Sequence, residues 1–80
     1  MTKIDQGDIR YLGMVTNFLY NKDSKKVYKT ITEQSRGMRD TLICQVENTD
    51  SRTKIYITPE LLEISDFYII NQEEDPEYFI

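Results

Sequence analysis

Cys44 is the only strong nucleophile in this 80-residue chain, which contains no His and no Trp. A reactive thiol needs solvent access and a basic neighbour that favours the thiolate. Cys44 instead falls between Leu42 and Val46 in an alternating stretch that turns all three to one face, where a free Cys acts as a small packing residue. The absence of His excludes every triad that uses imidazole. One Cys supports neither an internal disulfide nor the usual zinc sites. Glu73, Glu74, Asp75 and Glu77 form an acidic cluster, but their spacing is not that of a calcium loop and no Gly marks its sharp turn. The other carboxylates make no pair that spacing alone places at glycosidase separation. No enzyme motif is present, so no catalytic residue, metal or cofactor is expected.

The basic and aromatic residues carry more information. Lys22, Lys25, Lys26 and Lys29 cluster at the first hairpin, whose tip Tyr20 and Tyr28 flank, and Tyr56 lies two residues after Lys54. Lysines interleaved with tyrosines suit single-stranded nucleic acid, through phosphate contacts and base stacking. Asp23, Glu33 and Asp40 dilute this patch, and lysines on a hairpin also keep it soluble and discourage edge pairing. Arg36, Arg39 and Arg52 are candidate anion ligands, since guanidinium binds oxyanions in a bidentate fork. Six Tyr and three Phe are more than a small core buries well, and Tyr is favoured at interfaces. Phe18, Tyr20, Tyr28 and Tyr56, together with Tyr11 and Phe67, are therefore candidates to face a partner or a second copy. The chain ends with Tyr78, Phe79 and Ile80 after the acidic run. These residues are expected to dock on the body or on a partner, with a frayed end as the alternative.

Positioning these groups requires a set of short strands. Gly7 and Asp8 read as a turn leading into a long strand region, Ile9 to Tyr20, one bent strand or two, with Gly13 at a bulge or bend. The polar run Asn21 to Lys26 reads as a hairpin tip, with Val27 to Thr32 returning. A loop through Gly37 is expected next, with a short helical turn capped by Thr30 and Glu33 as the alternative. Met38 to Glu47 alternates, with Met38, Leu42, Cys44 and Val46 inward and Arg39, Thr41, Gln45 and Glu47 outward. Asn48 to Ser51 makes a turn, and Thr53 to Thr58 alternates again with Ile55 and Ile57 inward and Lys54 and Tyr56 outward. Thr58, Pro59 and Glu60 predict one helical turn, as N-cap, first-turn proline and dipole-matched acid. Ile64 to Ile70 then reads as the closing strand. The prediction is a mainly β domain over residues 1–70: a five-stranded meander curled into a small barrel, with one short helical turn before the last strand.

Gly7-Asp8-Ile9-Arg10-Tyr11-Leu12-Gly13 resembles the first strand of SH3-like small barrels. Ile57-Thr58-Pro59-Glu60-Leu61-Leu62-Glu63-Ile64 resembles their short helical turn before the final strand. The resemblance spans roughly residues 5–70, lies at the level of fold, and implies a binding activity rather than catalysis.

Charge places the remaining constraint. Residues 1–70 carry ten acids and all ten bases, and residues 71–80 carry four acids, which supply the whole net charge of −4. The protein reads as a neutral body with a basic hairpin and an acidic tail, 71–80. That polarity predicts docking of the tail on the lysines or head-to-tail association, weakened by salt. No internal repeat, membrane-length apolar run or secretory leader is seen, and a lone Cys suits a reducing cytoplasm. The expected function is a small non-enzymatic protein-binding module, similar in type to bacteriophage and mobile-element accessory proteins that inhibit or adapt a partner by covering its surface. Two alternatives remain: a nucleic-acid-binding barrel using the basic hairpin, and a homo-oligomer that sequesters a small anionic ligand at the arginines.

Overall fold

The computed structural model describes residues 1–32, 35–36 and 42–79. The chain begins with a short strand, β1 (Thr2–Lys3), and then makes a 3-10 turn (Gln6–Asp8) that runs into helix α1 (Ile9–Leu12). Asp5 caps this start: its carboxylate accepts from the Gly7 N–H at 2.9 Å, and the Asp8 carboxylate accepts from the Asp5 N–H at 2.8 Å. Such a reciprocal cap satisfies the orphan donors of a helix start. Ile9 and Leu12, three apart, both enter the core. The long strand expected over Ile9 to Tyr20 is thereby corrected. Helical spacing and the cap override the β propensity of these residues, and Gly13 ends α1 rather than forming a bulge.

Strand β2 (Phe18–Asn21) starts only after a loop fixed by side chains. Thr30 Oγ1 accepts from the Asn17 N–H at 2.8 Å, and the Asn17 amide donates to the Leu12 and Val15 carbonyls. The expected hairpin follows, with β3 (Lys26–Thr30) paired to β2 from Phe18↔Lys29 to Asn21↔Lys26. Next come β4 (Ser35–Arg36), β5 (Leu42–Asn48), β6 (Lys54–Ile57), helix α2 (Pro59–Ile64), β7 (Phe67–Ile70) and a 3-10 turn (Pro76–Phe79). Glu33, Gln34, Gly37, Met38, Arg39, Asp40, Thr41 and Ile80 lie outside the described residues, as does the alternative cap involving Glu33.

The strands described form one antiparallel sheet in the order β1-β7-β2-β3-β5-β4, with β6 also paired to β5. Val46 pairs with both Thr30 and Ile55, so β3 and β6 flank β5 on opposite sides. Neighbours in sequence thus pair through the middle of the sheet, as in a meander. The last strand departs from it: β7 inserts between β1 and β2. Among the described residues no ladder joins β6 to β7, and the sheet is open.

One face of the sheet, with α1 and α2 against it, makes the core: Ile4, Ile9, Leu12, Leu19, Tyr28, Cys44, Val46, Ile57 and Phe67. Cys44 and Val46 point inward as expected, but Leu42, at the open start of β5, is exposed. The Thr58 hydroxyl caps α2 by accepting from the Leu61 N–H at 3.1 Å, and Leu61 and Leu62 pack on the core. This helix runs through Ile64, so the closing strand starts at Phe67 rather than Ile64, whose side chain is 80% exposed.

Candidate functional site

Two turns at one end of the sheet share a residue pattern: Asn21-Lys22-Asp23-Ser24-Lys25 and Asn48-Thr49-Asp50-Ser51-Arg52. The Asn21 Oδ1 accepts from the N–H groups of Asp23 and Ser24, both at 2.9 Å. The Asn48 Oδ1 accepts from Asp50 and Ser51 at 2.8 and 2.9 Å. In both, the fifth residue donates its N–H to the Asn carbonyl and takes the left-handed conformation, Lys25 at φ 58° and Arg52 at φ 64°. Asn side chains that bond backbone two and three residues on are standard turn chemistry. Both asparagines are buried, as befits side chains that organise a turn from within. Pairing of Tyr28 with Asn48, and a bond from the Thr49 N–H to the Val27 carbonyl at 3.0 Å, hold the two tips side by side.

The chain after β7 folds back rather than running into solvent. Asp75 is buried and organises this reversal. Its N–H donates to the Asn71 carbonyl at 2.7 Å, and its carboxylate accepts from the Asn71 N–H at 3.1 Å and lies 3.5 Å from the amino group of Met1. The 3-10 turn Pro76–Phe79 then lays two rings on the outer face of β2. Tyr78 sits 4.4 Å from Tyr20, centroid to centroid, and Phe79 meets Phe18 edge-on at 5.1 Å. Ile70, the cross-strand partner of Phe18, is buried there although it stands outside the main core. The tail therefore docks through aromatic contacts. Among the described residues no ion pair joins its acids to Lys22, Lys25, Lys26 or Lys29. Salt bridges there join Met1 to Asp75, Lys3 to Asp66 and Arg52 to Glu47.

Between the tail and the twin turns lies an open groove of about 530 Å³. Phe18, Tyr20, Tyr78 and Phe79 supply four aromatic walls, with Val27 beside them. Lys25, Thr49, Asp50 and Glu77 supply the polar lining. Desolvation, then the charges of Glu77, Tyr20 and Asp75, push the Tyr78 phenol up, so it stays protonated well into the alkaline range.

The residues singled out by sequence are distributed unevenly around this groove. Phe18, Tyr20, Lys25, Glu77, Tyr78 and Phe79 converge on it. Tyr28 does not: it is 8% exposed and packs 6.1 Å from the Phe67 ring, so its inclusion among surface tyrosines is corrected. Position 28 faces the core because Leu19, its cross-strand partner, does. Lys22, Lys26 and Lys29 are exposed outside the groove. Of the two tyrosines at this hairpin, Tyr28 is thus committed to Phe67, and Tyr20 meets Tyr78 at the groove wall. Tyr56 is exposed on β6, as expected. Glu73 and Glu74 are exposed at the chain reversal. Arg52 Nε lies 3.2 Å from Glu47 Oε1, Arg36 pairs along its backbone with Leu42, and Arg39 lies outside the described residues. Burial pushes the Cys44 thiol up, away from the thiolate. Sequence reasoning missed Asn21, Asn48 and Asp50. The repeated Asn-x-Asp-Ser-Lys/Arg pattern was the available signal.

Among the described residues no helix is long and apolar enough to cross a membrane. No protein-family model, curated protein or solved structure matches this chain.

Proposed function

We propose that this protein is a non-enzymatic protein-binding module that acts by covering a partner's surface. The observation that carries this reading is a run of exposed apolar side chains in α1 and just after it. Tyr11, Met14 and Val15 are 58%, 65% and 63% exposed within five residues. An 80-residue domain has few large apolar side chains to spare, and three left in water within five residues supply apolar area that a partner can cover. A bacteriophage-type inhibitor or adaptor role fits this reading, which does not depend on it.

Affinity capture from the native host tests it. The wild-type chain is compared with a variant carrying Tyr11→Ser, Met14→Ser and Val15→Ser. A protein retained by the wild type and lost by the variant supports the proposal. Equal capture by both, or capture of nucleic acid alone, sinks it.

A further inference from the structure

The groove between the twin turns and the C-terminal segment has a chemistry that the apolar cluster lacks. Four aromatic rings, Phe18, Tyr20, Tyr78 and Phe79, line a space of about 530 Å³, large enough for a long side chain and part of its backbone. Tyr20 and Tyr78 meet at 43°, a wedge rather than a flat stack. Asp50 and Glu77 line the same space, and neither makes an ion pair among the described residues. Among the described residues Lys25 is the only base in the lining, where it faces two carboxylates.

We propose that this groove receives an arginine side chain presented by a partner protein. Guanidinium is planar and weakly hydrated, stacks on aromatic faces and meets carboxylates with a fork of donors. A lysine ammonium is more strongly hydrated and lacks the planar face, so it fits an aromatic slot less well. Phosphate and carboxylate ligands meet Asp50 and Glu77 and are repelled, which disfavours nucleic acid at this site. Lys25 opposes the ligand, but it is exposed at a turn tip and can swing into water. Its opposition gives the proposal a sign that an ordinary hydrophobic groove would not show. The inference relies on the protein-binding reading only for the source of the arginine.

The test is a nuclear magnetic resonance titration of the full chain with acetyl-Gly-Arg-Gly-amide, followed at Tyr20, Tyr78 and Asp50. The citrulline tripeptide, equal in shape but neutral, is the control, with lysine and glutamate tripeptides and free arginine as further arms. Saturable shifts with the arginine peptide are expected, and binding about tenfold weaker with citrulline, the equivalent of losing one charge-assisted contact. Asp50→Asn and Glu77→Gln should each weaken binding by about three- to tenfold, and Lys25→Ala should tighten it. Unchanged melting temperatures keep these variants interpretable. Equal binding of citrulline, preference for glutamate, weaker binding by Lys25→Ala, or no binding at all overturns the proposal. Tighter binding of free arginine than of the peptide would reassign the site to a small molecule and overturn the protein source. Arginine binding without protein capture would instead overturn only the protein-binding reading.

Discussion

Lys25 and Arg52 occupy backbone positions that glycine fills without steric penalty, at φ 58° and 64°. A side chain in the left-handed region costs on the order of 1 kcal/mol. Lys25→Gly and Arg52→Gly should therefore each raise the urea midpoint slightly, a gain of up to about 0.5 kcal/mol once glycine's greater freedom in the unfolded chain is subtracted. Loss of the Arg52–Glu47 pair subtracts little, because the Arg52 side chain is largely exposed. A fall in stability would show that the basic side chains hold the turns. The asparagines act in the opposite sense. Asn21→Ala and Asn48→Ala each strip two backbone donors of their acceptor and should cost about 1–3 kcal/mol in the same denaturation experiment. Cys44 adds a pH dependence. Its folded-state pKa lies above the ordinary 9.0, so the native state holds its proton longer than the unfolded chain does. Stability from this group is complete below pH 9.0 and declines as pH rises beyond it. Cys44→Ala should flatten that alkaline decline in melts across pH 8–11, although it also leaves a small cavity. In the native state the thiol should resist iodoacetamide, and it should react promptly in urea.

At the scale of elements, local chemistry was legible wherever one side chain decides a conformation. The hairpin tip at Asn21, the turn at Asn48 and the helix at Pro59 all appear where polar punctuation places them. Thr58→Ala removes the cap on the Leu61 N–H and should cost about 1 kcal/mol, measurable by chemical denaturation, with Thr58→Ser restoring most of it. The first element misled because Ile9, Tyr11 and Leu12 suit a strand by propensity. Asp5 and Asp8, a matched acidic pair three apart, make the capping interaction that tips the segment to a helix. Ile64 misled for a related reason: its side chain suits a strand, yet it completes a helix already nucleated at Thr58. In both places the helical start signal outweighed β propensity, which depends strongly on context.

At the scale of the whole molecule, the C-terminal segment belongs to the fold. Removing residues 71–80 uncovers Phe18, Tyr20 and Ile70 and discards two aromatic contacts, a loss of about 2–4 kcal/mol. A domain of this size has a stability of about 4–12 kcal/mol, so the truncated chain should still fold but melt markedly lower. An unchanged melting temperature would show that the rings contribute no stability. The truncation also removes Glu77, Tyr78 and Phe79 from the groove, so arginine-peptide binding should vanish even where folding persists.

The sequence by itself determined the β character, the turns, the α2 start and the inward face of β5 at Cys44 and Val46. These follow from period-two alternation and from side chains that bond their own backbone, both readable within a few residues. It also confined the net charge to the last ten residues. Only the tertiary structure decided that β7 inserts between β1 and β2, that Tyr28 faces inward, and that Tyr78 and Phe79 cover Tyr20 and Phe18. Those choices join residues about forty or more positions apart. They depend on which apolar surface remains uncovered once the local elements have formed, and no local pattern encodes that.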